Sequence, residues 1–409
     1  KRVIYSFAIV VIGGVGSFKG TFIASIIVGE IYAFGGAFFP QFSMALIFIL
    51  LVGFLMTLPR GLFGREVEQA HVPLAPYIED ITELFKKFSP VLFSRTAWSL
   101  LLLLFIAVPL VMPMYWTYLF TEMLNMALFA IAFNLLLGFT GLLSFGQASI
   151  YSIGSYTLAL LMMELNVSWM LAFPASILLC TAVAVIVGLC VIHRSEIYFA
   201  MLTLAFAQLF YTIIYKWTRV TGGADGISGI PSPEMQIAGF DFAIRYPVET
   251  YYFFLCFVVV CIYIVKRIIG SPFGQILKAI RENPNRTEFL GMNPKKYKLI
   301  AFVVAGFFTG ICGALAAPLA GTIDPSIAHW SKSAEPVFMT LIGGINTLLG
   351  PAVGAFIYYT LISFIGSITE YWQLFMGSVL IAFVMLFPMG ILGYLKKMIY
   401  SVFQKTEIL

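Results

Sequence analysis

The chain has 409 residues, of which 61% are hydrophobic and only 11% are charged, with a formal net charge of +5 and 40 phenylalanines. Soluble domains are nearer half apolar and a quarter charged, so this chain lacks the polar side chains to cover a water-facing surface. A cytosolic enzyme, a nucleic-acid binder and a disordered scaffold are excluded, and the chain reads as an all-α polytopic membrane protein.

A helix needs ~20 apolar residues to cross ~30 Å of hydrocarbon. Eleven full spans are predicted on that basis, at about 20–37, 40–58, 97–116, 119–139, 145–163, 168–192, 197–216, 249–267, 298–320, 350–370 and 373–394. Two shorter apolar pieces, about 4–15 and 335–347, carry Gly pairs and read as bent or broken crossings. Irregular backbone survives at membrane depth only where protein buries it or it lines a cavity.

Ten charges fall between Arg60 and Arg95, and ten more between Lys266 and Lys298. The second cluster holds eight Lys/Arg against Glu282 and Glu288, which places it in the cytoplasm. Counting crossings from there puts Arg60–Arg95, His193–Arg194 and the Lys396–Lys397 tail inside as well, and the 217–248 loop outside. Lys1–Arg2 is the exception, since the count places it outside. Lys1 is also an unusual first residue, with no initiator Met or signal peptide before it, so the chain is expected to be a fragment or a processed product.

An internal repeat links the two ends. Ile12-Gly13-Gly14 and Gly20 recur as Ile342-Gly343-Gly344 and Gly350, and Phe34 and Gly36 recur as Phe364 and Gly366, all at an offset of 330. After a one-residue gap, Pro59-x-Gly61-x-x-Gly64 recurs as Pro388-x-Gly390-x-x-Gly393. Residues 1–64 are therefore expected to be the closing part of one unit and 97–395 a complete second unit, with a linker at 65–96 and a cytoplasmic tail at 396–409. Within the linker, Ile78, Ile81, Leu84, Phe85 and Phe88 recur at helical spacing among charges, as in an amphipathic helix on the inner membrane face or a solvated linker helix.

Chemical tools are scarce. His71, His193 and His329 sit at predicted loops or membrane edges, and Cys180, Cys190, Cys256, Cys261 and Cys312 lie in apolar runs without ligand spacing, as small core hydrophobes would. The stretch Gly13 to Gly20 fails as a phosphate loop, because no Gly precedes Lys19 and no Ser/Thr follows it. Glu122, Glu164 and Glu370 lie near span ends and read as interfacial. Glu30, about ten residues into its span, admits a packing, helix-pairing or path-lining role, and its repeat equivalent is Thr360. Gln147, next to Gly146, admits close helix packing or a bent pore helix.

The loop at 270–298 carries paired signals. A first short helix is predicted over about Gln275–Glu282, then a second that Asn283 caps, with Pro284 at its first position and Gly291 just past its end. A solvated positive-inside loop explains the charges but not the caps or the apolar Phe289 and Leu290. A compact, basic docking knob explains all three.

From about 97 to 395 the chain resembles the membrane subunit of ABC importers for branched-chain amino acids, the LivM type. The residues that carry this are Leu142-Leu143-Ser144-Phe145-Gly146-Gln147-Ala148, Thr221-Gly222-Gly223-Ala224-Asp225-Gly226-Ile227 and the Gly274–Gly291 segment. Ala301-Phe302, Gly313-Ala314-Leu315, Gly343-Gly344 and Pro388-x-Gly390 complete the set. Residues 1–64, with Val11 to Ser17 and Pro59 to Gly64, resemble the end of the companion LivH type. The sequence departs at Ile345-Asn346, where a third Gly is more usual, which bears on the substrate more than on the family.

The resemblance implies an ABC importer transmembrane domain in the plasma (inner) membrane of a prokaryote. Two permease units would form the pore, and two cytosolic ATP-binding cassette subunits would hydrolyse the ATP, so this chain needs no cofactor. A periplasmic or extracellular amino-acid-binding protein would deliver substrate. Asn283, Pro284, Arg286, Glu288, Phe289, Leu290 and Gly291 would form the coupling helix, and Thr221, Gly222, Gly223, Asp225 and Gly226 would face the binding protein. Candidate path residues are Glu30, Gly146, Gln147, Gly343, Gly344 and Thr360, with backbone and small polar groups near 143–149 and 342–346 meeting the zwitterionic head. Urea, short amides or sugars are alternative substrates. A secondary carrier without ATPases and a structural subunit of a respiratory complex are the rival classes.

Overall fold

The computed structural model describes residues 2–14, 16–38, 43–58, 61–63, 95–194, 196–237, 240–243, 247–345, 347–387 and 389–394. The chain opens with α1 (Arg2–Gly13), α2 (Phe18–Phe38) and α3 (Ser43–Thr57). The expected linker helix with Ile78 to Phe88, His71 and the tail lie outside the described residues. Next come α4 (Arg95–Val111) and α5 (Met114–Thr140), separated at Pro113, which has no N–H to continue a helix. The predicted spans 97–116 and 119–139 are thereby redivided into a 17-residue and a 27-residue helix.

α6 (Gln147–Met163), α7 (Trp169–Val191) and α8 (Glu196–Lys216) follow. The connection to the next long helix contains one helical turn, α9 (Thr218–Thr221), a 3-10 turn (Gly223–Asp225) and the strands β1 (Ile227–Ser228), β2 (Glu234–Ile237) and β3 (Phe240–Ala243). The chain re-enters as α10 (Pro247–Gly270), turns through α11 (Pro272–Glu282) and α12 (Pro284–Phe289), and returns as α13 (Pro294–Ala320). After β4 (Thr322–Ile323) and a 3-10 turn (Pro325–Ala328) it closes with α14 (Trp330–Gly343), α15 (Gly350–Ile368) and α16 (Trp372–Leu386).

Eight helices among the described residues are long and apolar enough to cross a membrane, so the chain is a multi-pass membrane protein. The predicted spans 40–58, 97–116 and 145–163 are shorter than expected, with helices of 15, 17 and 17 residues. α14, with 14 residues, reaches about 21 Å and cannot cross alone.

α13 is the axis of the bundle and packs against α5, α6 and α7. The α6 contact depends on missing side chains. A Cβ at Gly313 would stand 2.0 Å from the Tyr151 carbonyl, and one at Gly154 would stand 2.7 Å from the Gly310 carbonyl. Membrane helices lack a hydrophobic drive to associate, so close approach of this kind supplies the packing energy. Cys180, Cys261 and Cys312 are buried in this bundle as expected, but Cys256 is exposed on α10 and is not a core residue.

The repeat has a geometric counterpart. A Cβ at Gly13 would lie 2.5 Å from the Gly20 carbonyl carbon, and one at its counterpart Gly343 would lie 2.3 Å from the Gly350 carbonyl carbon. Gly61 (φ +72°) would place a Cβ 2.5 Å from the Gly14 nitrogen, and Gly390 (φ +71°) would place one 2.4 Å from the Gly344 nitrogen. Both hairpins close the same way, on contacts that glycine alone permits. Their surroundings differ. α3 packs on α1, α2 and α8, and the Arg194 guanidinium donates to the Met56 carbonyl in the last turn of α3. α16 packs on its own α14 and α15, with no third helix of comparable extent among the described residues.

Candidate functional site

At the end of the bundle expected to face the cytoplasm, α11 begins at Pro272, three residues before the predicted start, and buries Gly274, Leu277 and Ile280. The Arg281 guanidinium donates to the Gly138 carbonyl, one of the last carbonyls of α5, which have no partner within their helix. Burial lowers the pKa of Arg281 from its usual value, and the Glu282 carboxylate opposes that shift. Lys278 lies 5.8 Å from the Phe139 ring centre on the same turn. α11 is thereby fastened to a central helix.

α12 forms as the sequence predicts. Asn283 Oδ1 accepts from the Arg286 N–H at 2.9 Å, Pro284 takes the first position, and Gly291 follows the helix at φ +85°. Thr287 is buried and its hydroxyl donates to the Asn283 carbonyl at 3.0 Å, anchoring the inner side. Arg286, Glu288 and Gly291 face outward, and Phe289 and Leu290 are 91% and 76% exposed. The segment therefore presents an apolar tip on a basic mount.

Deeper in the bundle, the chain between α5 and α6 brings Gln147 against the middle of α13. Thr309 Oγ1 donates to Gln147 Oε1 at 3.0 Å, and Gln147 is fully buried. α6 therefore begins at mid-bundle, which is why the predicted span 145–163 falls short. N–H groups around its start are already held: Phe145 N donates to Thr203 Oγ1 at 3.1 Å and Ala148 N to Ser333 Oγ at 2.8 Å. Gly146 sits against Thr203 in this joint. Gly343 and Gly344 are packed on Gly350 and Gly390, with the Gly344 N–H donated to the Thr340 carbonyl. These two breaks are closed against protein.

Glu30 and Thr360 are both exposed, on α2 and α15, and the structure does not bring them to Gln147. Residues that the sequence reading passed over lie nearer to it. On α14, Lys332 Nζ donates to Glu335 Oε2 at 2.7 Å and lies 3.3 Å from the Tyr359 hydroxyl, which is 3.2 Å from the same carboxylate. The Lys332 and Glu335 side chains are 17% and 23% exposed, and Glu122 of α5 is within electrostatic reach of both. Ser333, between them, makes the bond to the start of α6, so this charged cluster lies near the level of Gln147. Glu122, read as interfacial, belongs to it. The Ser-Lys-Ser-Ala-Glu run ahead of a short apolar helix was the available signal.

At the opposite end, the Thr221–Gly226 turn is a structural joint. The Thr221 hydroxyl caps the end of α8 by donating to the Ile214 carbonyl. Gly222 (φ +73°) approaches the Gly226 carbonyl so closely that a Cβ would lie 1.9 Å from it, and at Gly226 (φ +71°) a Cβ would lie 2.0 Å from the Ile323 carbonyl. β1 pairs antiparallel with β4, Ile227 opposite Ile323. Thr221 and Gly223 are buried, so of the residues expected to face a delivery protein, Asp225 is the fully exposed one.

The family described as "Branched-chain amino acid transport system / permease component" matches residues 115–384. The chain is 27% identical over 278 residues to the high-affinity branched-chain amino acid transport system permease protein LivM of Escherichia coli K12, covering 63% of this chain and 65% of that one. It is 23% identical over 284 residues to the LivH permease protein of Salmonella typhimurium, covering 65% of this chain and 91% of the relative. A probable LivH permease of Methanocaldococcus jannaschii is 23% identical over 271 residues, 62% of this chain and 84% of the relative. The match thus spans somewhat less than two thirds of the LivM relatives' length. No solved structure matches the chain.

Proposed function

The chain belongs to the branched-chain amino acid transport permease family, and we propose that it lines the translocation path of an ATP-driven importer for branched-chain amino acids. The capped knob carries this reading. α12 presents Phe289 and Leu290 outward while Arg281 ties its neighbour α11 to the end of α5. Force applied to the tip by a cytosolic ATPase subunit would pass directly into a central helix. In this arrangement a companion permease unit completes the pore, a binding protein delivers substrate from the outer side near Asp225, and the assembly lies in a prokaryotic inner membrane.

The Lys332–Glu335–Tyr359 cluster supports a zwitterionic cargo. Charges at membrane depth are costly unless they pair or face a cavity. Lys332 and Glu335 pair with each other and are partly exposed, which suits exchange for the carboxylate and ammonium of an amino acid. The N–H groups of Phe145, Ala148 and Gly344 are already bonded within the chain, so the charged cluster takes over the role first expected of the backbone at 143–149 and 342–346. Urea and sugars have no use for paired opposite charges.

The test is reconstitution with the ATPase subunits and binding protein in proteoliposomes. Leucine uptake driven by ATP is expected, and uptake of urea or a sugar without leucine would refute the substrate. Glu288→Ala with Gly291→Ala should leave ATP hydrolysis running while leucine uptake falls at least tenfold, about 1.4 kcal/mol of lost coupling. Unchanged uptake would favour a carrier that works without ATPases. Lys332→Ala should raise the leucine concentration for half-maximal uptake by about tenfold, again about 1.4 kcal/mol, with hydrolysis unaffected.

A further inference from the structure

The two hairpins superpose in sequence as well as in contacts. At the offset of 329 that relates Pro59 to Pro388, α3 (Ser43–Thr57) falls on α16 (Trp372–Leu386) end to end, 15 residues each. One face behaves alike in both copies: Ile47 is 1% exposed and its counterpart Met376 is 6% exposed. Gly53 and its counterpart Ala382 are exposed in both.

A third face does not match. Ala45 is 3% exposed and its counterpart Leu374 is 70% exposed, while Leu55 is 1% exposed and its counterpart Val384 is 44% exposed. Phe48 is buried and its counterpart Gly377 is exposed; Val52 is half-buried and its counterpart Ile381 is exposed. Positions 374, 377, 381 and 384 have the spacing of a single helical stripe. The neighbour that α3 has and α16 lacks is α8. We infer that the Leu374–Val384 stripe of α16 is the docking surface for the α8 counterpart of a companion permease unit. The inference rests on the reading that two permease units assemble.

The same relation excludes a second copy of this chain as the occupant, because its α8 is already covered by its own α3. It also specifies a chemical feature of the partner. Arg194, just before α8, donates to the Met56 carbonyl at the end of α3. Met385 is the counterpart of Met56, so the companion carries a cationic side chain at the position of Arg194, bonded to the end of α16.

The experiment keeps the full chain in its native membrane. A benzophenone side chain is placed at Ile381, at Val384 and, as the control, at Ala382, and the adducts formed on irradiation are sequenced by mass spectrometry. Adducts from Ile381 and Val384 are expected on a permease segment that aligns with residues 196–216 but is not that segment, with the Ala382 yield at least tenfold lower. Adducts confined to lipid, to residues 196–216 themselves or to any other polypeptide overturn the inference. If one variant fails to accumulate, the other carries the test. The readout needs neither ATP nor leucine, so lipid-only adducts beside intact uptake would sink this interface alone, and specific adducts without uptake would sink the proposed function alone.

Discussion

α1–α3 and α14–α16 make the same hairpin in two different surroundings. In each, a short helix ends at a glycine pair, reverses, and is crossed by a second glycine turn, so the backbone atoms approach to distances that no Cβ would allow. α3 is then covered by α8, whereas the corresponding stripe of α16 is bare. Glycine contacts set the internal shape of the hairpin, and the larger side chains on its outer faces set what it docks against. The two layers of information are separable, because the first is conferred by backbone and the second by apolar surface.

The sharpest way to break this equivalence is to put a side chain into each tight contact. Gly13→Val and Gly343→Val would place a Cβ 2.5 Å and 2.3 Å from the carbonyl carbon of the facing glycine, so each should cost about 3 kcal/mol and remove most monodisperse protein in gel filtration. If Gly13→Val runs as the parent does while Gly343→Val aggregates, the hairpins are not packed alike. A smaller effect should separate the copies. Arg194→Ala removes the cation at the end of α3 at a cost of about 1 kcal/mol, so a cysteine at Ala45 should become reactive to maleimide while one at Met376 stays protected. The smallest effect is expected at Gly36 and Gly366, where nothing lies within 4 Å of a built Cβ. Alanine at either should shift the detergent melting temperature by no more than about 0.5 kcal/mol equivalent, and a large loss at one would show that copy to be in contact with something further.

Legibility in the sequence followed the range of the interactions. The α12 caps were readable because Asn283, Pro284 and Gly291 act on backbone within a few residues of themselves. The break at Pro113 was equally local, yet the apolar run across it hid the boundary, since hydropathy counts side chains and ignores the missing N–H. The joint at Gln147 was half legible: its small-residue setting was visible, but Thr309 lies 162 positions away. The repeat equates Glu30 with Thr360, and the fold places both on exposed faces. Lys332 and Glu335 went unread because a charged pair at the start of a short apolar helix looks like a loop edge until tertiary contacts carry it to mid-bundle.

Composition alone determined the solvent: 61% apolar against 11% charged residues demands a bilayer, since transfer free energy sums over side chains wherever they sit. Spacing alone determined the helices, their caps and the repeat, because each depends on residues a few positions apart or on a fixed offset. Only the tertiary structure decided which polar groups are spent on holding helices together and which stay partly open. Gln147 and Lys332 carry no local sign of that difference. It arises where Thr309, Ser333 and Tyr359 arrive from distant helices to satisfy, or leave free, a buried group whose desolvation must be met somewhere.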